Sequence, residues 1–143
     1  MLDSSPTLNR LAAEIVLGWY GGTPEVSPAE IKGLCEQLRS YAVEMCQQEP
    51  NFRNIITIPE CDLILALVNN TLNEQKHVIV DAYRHAMKHG ASPRESGSVI
   101  EQLEFLADMA ADAGKGKEIR QQAAVLLEIV EQLAPLTEAE HNR

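Results

Sequence analysis

Apolar residues recur three and four positions apart along most of the chain, which is the period of an α-helix. The first such stripe is Leu8, Leu11, Ala12, Ile15 and Trp19, all within a face about 100° wide. Ser5 and Pro6 ahead of it read as an N-cap and the first helical position. Gly21-Gly22 behind it read as the stop. Trp19, the only tryptophan, falls at the centre of the face and is expected to be a buried core anchor. Tyr20 lies toward the edge. Leu17 points away, between Arg10 and Glu14, and is either a stray surface leucine or part of a contact.

The sequence SPAE at 27–30 combines an N-cap serine, a first-turn proline and a glutamate three residues on, the pattern of a capping box. Ile31, Leu34, Cys35, Leu38, Ala42, Met45 and Cys46 follow at helical spacing, and Pro50 ends the run. Residues 51–62 read as a loop or short extended piece, with Thr57 and Glu60 forming another capping box around Pro59. LILALV at 63–68 is apolar on every side, which marks the central helix of a soluble bundle. The polar stretch 69–77 reads as a break before the next helix, which runs to about His89 with Gly90 behind it. SVIE at 98–101 predicts the start of another helix with Val99, Leu103, Leu106 and Ala110 in line. The glycine-rich GKG at 114–116 turns the chain. Ile119, Ala123, Leu126, Val130 and Leu133 then form a second seam, ended by Pro135, and a polar tail follows from about 136.

The fold class expected is all-α: an irregular bundle of five or six helices with a C-terminal antiparallel helical hairpin, in a single domain over 1–143. The composition agrees. The chain is 45% hydrophobic but only 4% aromatic, so its core must be aliphatic, and that mix favours helices over strands. No repeat of fixed period is present.

Charge narrows the function classes. The net charge is −9, which repels nucleic-acid phosphate over most of the surface. The exception is 76–94, where Lys76, Arg84, Lys88 and Arg94 face only Asp81 and where His77, His85 and His89 also lie. Macrodipole complementation at a helix C-terminus explains much of this placement. An anion or acidic-partner site extended by Arg94 is the functional alternative. Cys35, Cys46 and Cys61 lack metal-knuckle spacing and read as reduced thiols. No signal-peptide pattern or membrane-length apolar run is found, which points to the cytoplasm.

Chemical motifs are missing. The chain has no nucleophile elbow, P-loop or dinucleotide fingerprint, and no cofactor is implied. His77, Asp81, His85 and His89 form a drifting column of the kind that can share a metal between neighbours, but the flanking cations and the lack of converging ligands favour a solvated face. Glu101 and Glu104, and Asp108 and Asp112, are expected on outward faces as solvated charge.

The function expected is therefore a non-enzymatic protein-interaction domain: a small cytosolic adaptor, regulator or inhibitor. Candidate contact residues are Arg84, His85, Lys88, His89 and Arg94, together with Leu17 and Leu127. The first alternative is a helical nucleic-acid-binding regulator using 76–94. The second is a metal-binding or enzymatic protein using the histidine column. Self-association through the hairpin is also expected, because Leu127 and Ala134 widen the last helix's apolar stripe while Ala124 and Val125 lie outside its centre. The competing arrangement has the N-terminal helices cover that face and leaves a monomer.

Overall fold

Ile55, Ile56, Leu63, Ile64, Ala66 and Leu67 are all buried, and partly buried Leu65 and Val68 complete the circumference of one helix, α3 (Phe52–Asn69). The computed structural model describes residues 5–23, 25–113 and 116–141. A helix apolar on every side needs cover on more than one face. For α3 that cover comes from α1 (Ser5–Trp19), α2 (Pro28–Gln48) and α4 (Leu72–Lys88). The remaining helices, α5 (Pro93–Ala113) and α6 (Lys117–His141), form the C-terminal hairpin and share the most extensive helix–helix contact. In turn, α6 packs on α4 and α5 packs on α1. The contacts close a ring α1–α3–α4–α6–α5, and α2 lies outside it along α3. The bundle is all-helical, with no strand among the described residues, and no helix in them is long and apolar enough to cross a membrane.

Caps explain where most of these helices start. The Ser27 hydroxyl accepts from the Glu30 N–H and donates to the Glu30 carboxylate, both at 3.2 Å, so Ser27 caps α2 but the return bond of the expected box goes to its hydroxyl and not to its backbone N–H. Before α5, the Glu95 N–H donates to the Ser92 Oγ at 3.1 Å while the Ser92 N–H donates to the Glu95 carboxylate at 3.0 Å. The reciprocal box is thus SPRE at 92–95, and SVIE lies inside the helix. Asn51 caps α3, its Oδ1 accepting from the Asn54 N–H, so residues 52–62 are helical rather than a loop.

Two prolines do not act as expected. Pro59 sits within α3, and Pro135 within α6, which continues to His141 instead of giving way to a polar tail. A proline removes one i→i−4 bond, but burial can offset that loss. Pro59 is itself buried beside Ile55 and Ile56. The Thr57 hydroxyl donates to the Arg53 carbonyl instead of forming the expected cap. The break after α3 is real but short. Asn70 takes the left-handed conformation at φ 56°, and the Thr71 N–H closes back on the Ala66 carbonyl. In the turn between α5 and α6, Gly116 has φ +134°, while Gly114 and Lys115 lie outside the described residues.

The predicted stripes are recovered with informative shifts. In α1, Leu8, Leu11, Ala12 and Val16 are buried, but Trp19 is only partly buried. Its angular position is as expected; its place in the last turn, where the helix leaves its neighbours, limits the cover. Leu34 is exposed because α2 has only α3 as an extensive partner. In α6, Ala123, Leu126, Val130 and Leu133 form the seam, and Val125 and Ile129 are buried as well. The second apolar line of α6 therefore runs through Val125 and Ile129, not Leu127, and α4 provides α6 with a second packing partner.

This arrangement sets apart two adjacent leucines. Leu126→Ala should lower the unfolding free energy by about 2–5 kcal/mol, whereas Leu127→Ala should cost no more than about 0.5 kcal/mol. Urea midpoints at constant m-value measure both. Equal losses would show that the outer side of α6 is also packed.

Candidate functional site

GWYGG at 18–22 closes α1 with a specific hydrogen-bonded turn. The Gly22 N–H donates to the Leu17 carbonyl at 3.1 Å and the Gly21 N–H to the Gly18 carbonyl at 3.0 Å, with Gly21 at φ +85°. This is the Schellman pattern, and it requires a residue that tolerates positive φ at Gly21. A Cβ on Gly22 would stand 2.8 Å from the Leu17 Cδ1, so Leu17 rests against the turn. Leu17 is 41% exposed and occupies the space that a side chain at position 22 would need. The loop beyond is tied down by the Glu25 N–H donating to the Glu14 carboxylate and by an Arg10–Glu25 ion pair.

The same turn leaves Tyr20 at the surface, 41% exposed, with its hydroxyl donating to the Asp112 carboxylate at 2.8 Å. That hydrogen bond, aided by slight desolvation and the carboxylate's charge, holds the phenol above its ordinary pKa. The bond joins the end of α1 to the last turn of α5. Two turns back on the same face of α5 stands Phe105, 52% exposed. Leu103 and Leu106 occupy the inward seam, which forces Phe105 outward. Glu101, Asp108 and Asp112 are exposed on its side of the helix, and Met109, partly buried, lies one turn on. The helix carries five carboxylates and one arginine, and that arginine is at its start. The result is an aromatic centre with an acidic rim.

A separate cleft of about 360 Å³ lies among α1, α3 and α5, toward the start of α5. Leu8, Ala12, Ile56, Ile64 and Leu103 line it, with Asn9, Arg53, Glu60, Arg94 and Gln102 among its polar groups. Tyr83 reaches it from α4. Burial, and then the charges of Glu60, Cys61 and Asp62, push its phenol well above the usual range. It therefore keeps its proton at neutral pH and is a poor acid–base group. The size is at the low end of small-ligand sites.

The other candidate residues are dispersed. His85, Lys88 and His89 are exposed at the end of α4, with the two imidazole centroids 5.8 Å apart. Arg84 pairs with Asp81 at 3.7 Å, and Lys76 pairs with Glu128 of α6. Arg94 lies in the first turn of α5 and lines the cleft. No three histidine, cysteine or acidic side chains converge among the described residues as metal ligands would. Leu127 is 50% exposed without the wide apolar face expected around it, because Val125 and Ile129 turn inward. Phe105 was not among the sequence candidates. Its signal was present, since it is the lone aromatic on the charged side of a helix whose seam is already filled. No protein family, curated protein or solved structure matches this chain.

The thiols belong to the core. Cys35 and Cys61 are buried, Cys46 is half-buried, and all three are free. Burial, with Glu36 nearby, pushes Cys35 up to about 11 from an ordinary 9.0, and burial raises Cys46 and Cys61 too. A raised native pKa means that the unfolded chain loses its proton first as pH rises, so stability intact below pH 9.0 falls between 9.0 and about 11. Replacing Cys35 by Ala should make that decline shallower in pH-dependent urea melts. Thiol reagents at pH 8 should label Cys46 well before Cys35 or Cys61. Fast native labelling of Cys35 would contradict the packing of α2 on α3.

Proposed function

We propose that this is a non-catalytic protein-interaction domain, a small cytosolic adaptor, regulator or inhibitor, whose contact face is centred on Phe105 and Tyr20. The observation that carries the proposal is the placement of the aromatic residues. The chain has only six, and three of them, Tyr20, Tyr41 and Phe105, stand exposed while aliphatic residues fill the core. Aromatic side chains supply large contact areas at low entropic cost and are enriched in protein interfaces. Phe105 and Tyr20 belong to neighbouring, contacting helices joined through Asp112, whereas Tyr41 stands apart on α2 among Gly33, Gln37, Ser40 and Glu44. Three free thiols suit a reducing compartment.

Phe105→Ser should leave the melting temperature nearly unchanged, because an exposed side chain contributes little to the fold. It should abolish co-purification of the partner from the native host. Tyr41→Ser serves as the control and should retain the partner. A partner held equally by the Phe105 variant would move the contact away from α5, and the absence of any partner from the wild-type chain would sink the interaction role.

A further inference from the structure

Granting that interaction role, we infer that the face along α1 and α5 receives a basic amphipathic segment of a protein partner, with apolar side chains against Phe105 and Met109 and arginine or lysine against the surrounding carboxylates. The first support is the charge pattern. Glu101, Glu104, Asp108 and Asp112 are exposed around Phe105, and the only basic residue of α5 is Arg94 near its start. Asp112 accepts a hydrogen bond from Tyr20; no cation of the described residues pairs with the other three. Arg39 pairs with Asp62 and Lys76 with Glu128, but Glu36, Glu44, Glu74 and Glu131 also lack a cation partner among the described residues, so it is position that sets the α5 row apart. The unpaired row lies beside the exposed aromatic ring.

Chemistry selects the occupant. A second copy of this chain would bring the same carboxylates against these, and an anionic lipid surface or nucleic acid would be repelled as well. A guanidinium gains twice here, because it can stack on the face of Phe105 while its N–H fork reaches Asp108 or Glu101, one turn away on the same side of α5. Phe105 and Asp112 are about 10 Å apart along the helix axis, two turns at 1.5 Å per residue. A partner helix with residues at i, i+4 and i+7 presents side chains over the same span.

The test titrates two synthetic peptides of about 15 residues, long enough to form a helix on contact. One carries leucines on one face flanked by arginines; the other has glutamate in place of each arginine. Amide shift mapping and Trp19 emission, next to Tyr20 in the chain, report the site. The arginine peptide should bind with shifts centred on the outer face of α5 and the end of α1, and the glutamate peptide should not bind. Asp108→Lys should weaken binding roughly tenfold. Glu36→Lys on α2 makes the same change in net charge and should alter the affinity less than about threefold. Circular dichroism melts confirm that both variants are folded. Three results would overturn the inference: no binding by the arginine peptide, shifts centred on another helix, or equal weakening by the two charge reversals. A native partner lost on Phe105→Ser alongside any of those results would leave the interaction role intact and remove only the basic segment. Any of those results together with no partner on the wild-type chain would remove the role as well.

Discussion

The fold depends on the fact that the second half of α3, residues 63–68, has no polar side to give to water. Its buried residues point in several directions, so one packed neighbour cannot satisfy it. It takes α2 along one side, α4 along another and α1 on a third. Once α1 and α4 are placed, the apolar faces of α5 and α6 have a surface to close over, and the hairpin completes the ring. Phe105 is exposed as a consequence. The inward positions of α5 are taken by Leu103, Leu106, Ala107 and Ala110, leaving only the outer face for an aromatic ring between them.

Backbone chemistry at two turns converts that packing into a surface. Gly21 and Asn70 both take the left-handed conformation, and in each case the next N–H reaches a carbonyl five residues back. At Gly21 this ends α1 at Trp19 and holds Tyr20 in the closing turn, from which its phenol reaches Asp112. At Asn70 it separates α3 from α4 with only Asn70 and Thr71 between them, keeping the two helices in direct contact. Asparagine tolerates this conformation without the full strain of a branched residue, because its short polar side chain fits locally.

The helical class, the central position of 63–68 and the two hairpin seams were legible because each rests on a period that survives any packing. The ends of helices were less legible. Proline marks a boundary only when the lost hydrogen bond is not offset, and whether burial offsets it depends on neighbours far away in sequence. Pro59 is such a case: it is buried, as are Ile55 and Ile56 a turn before it, and α3 runs through it. Val125 and Ile129 were likewise assigned by α6's second partner, α4, which no local pattern announces. The candidate site was legible only in part. The turn after Tyr20 and the outward carboxylates of α5 follow from local pattern, but Phe105 gains meaning from the filled seam on the opposite side. The basic segment 76–94 drew attention through composition, yet Arg84 and Lys76 are engaged by Asp81 and Glu128 and Arg94 belongs to a different helix.

An exposed phenylalanine is normally a liability, because apolar patches invite association with anything apolar. The residues around Phe105 change that balance. Glu101, Glu104, Asp108 and Asp112 surround it with negative charge, so two copies of the chain approaching through this face meet like charges before the rings can touch. The repulsion costs the folded monomer little, since all four carboxylates remain in water and need no burial. Under the proposed role it would discriminate, by making the apolar contact available only to a partner that brings cations with it. Specificity of this kind is a difference between affinities, achieved as much by penalising the wrong partner as by rewarding the right one. On the proposed interaction role, a single aromatic side chain would supply the contact on this face, and the charge pattern of one helix would decide which partner could use it.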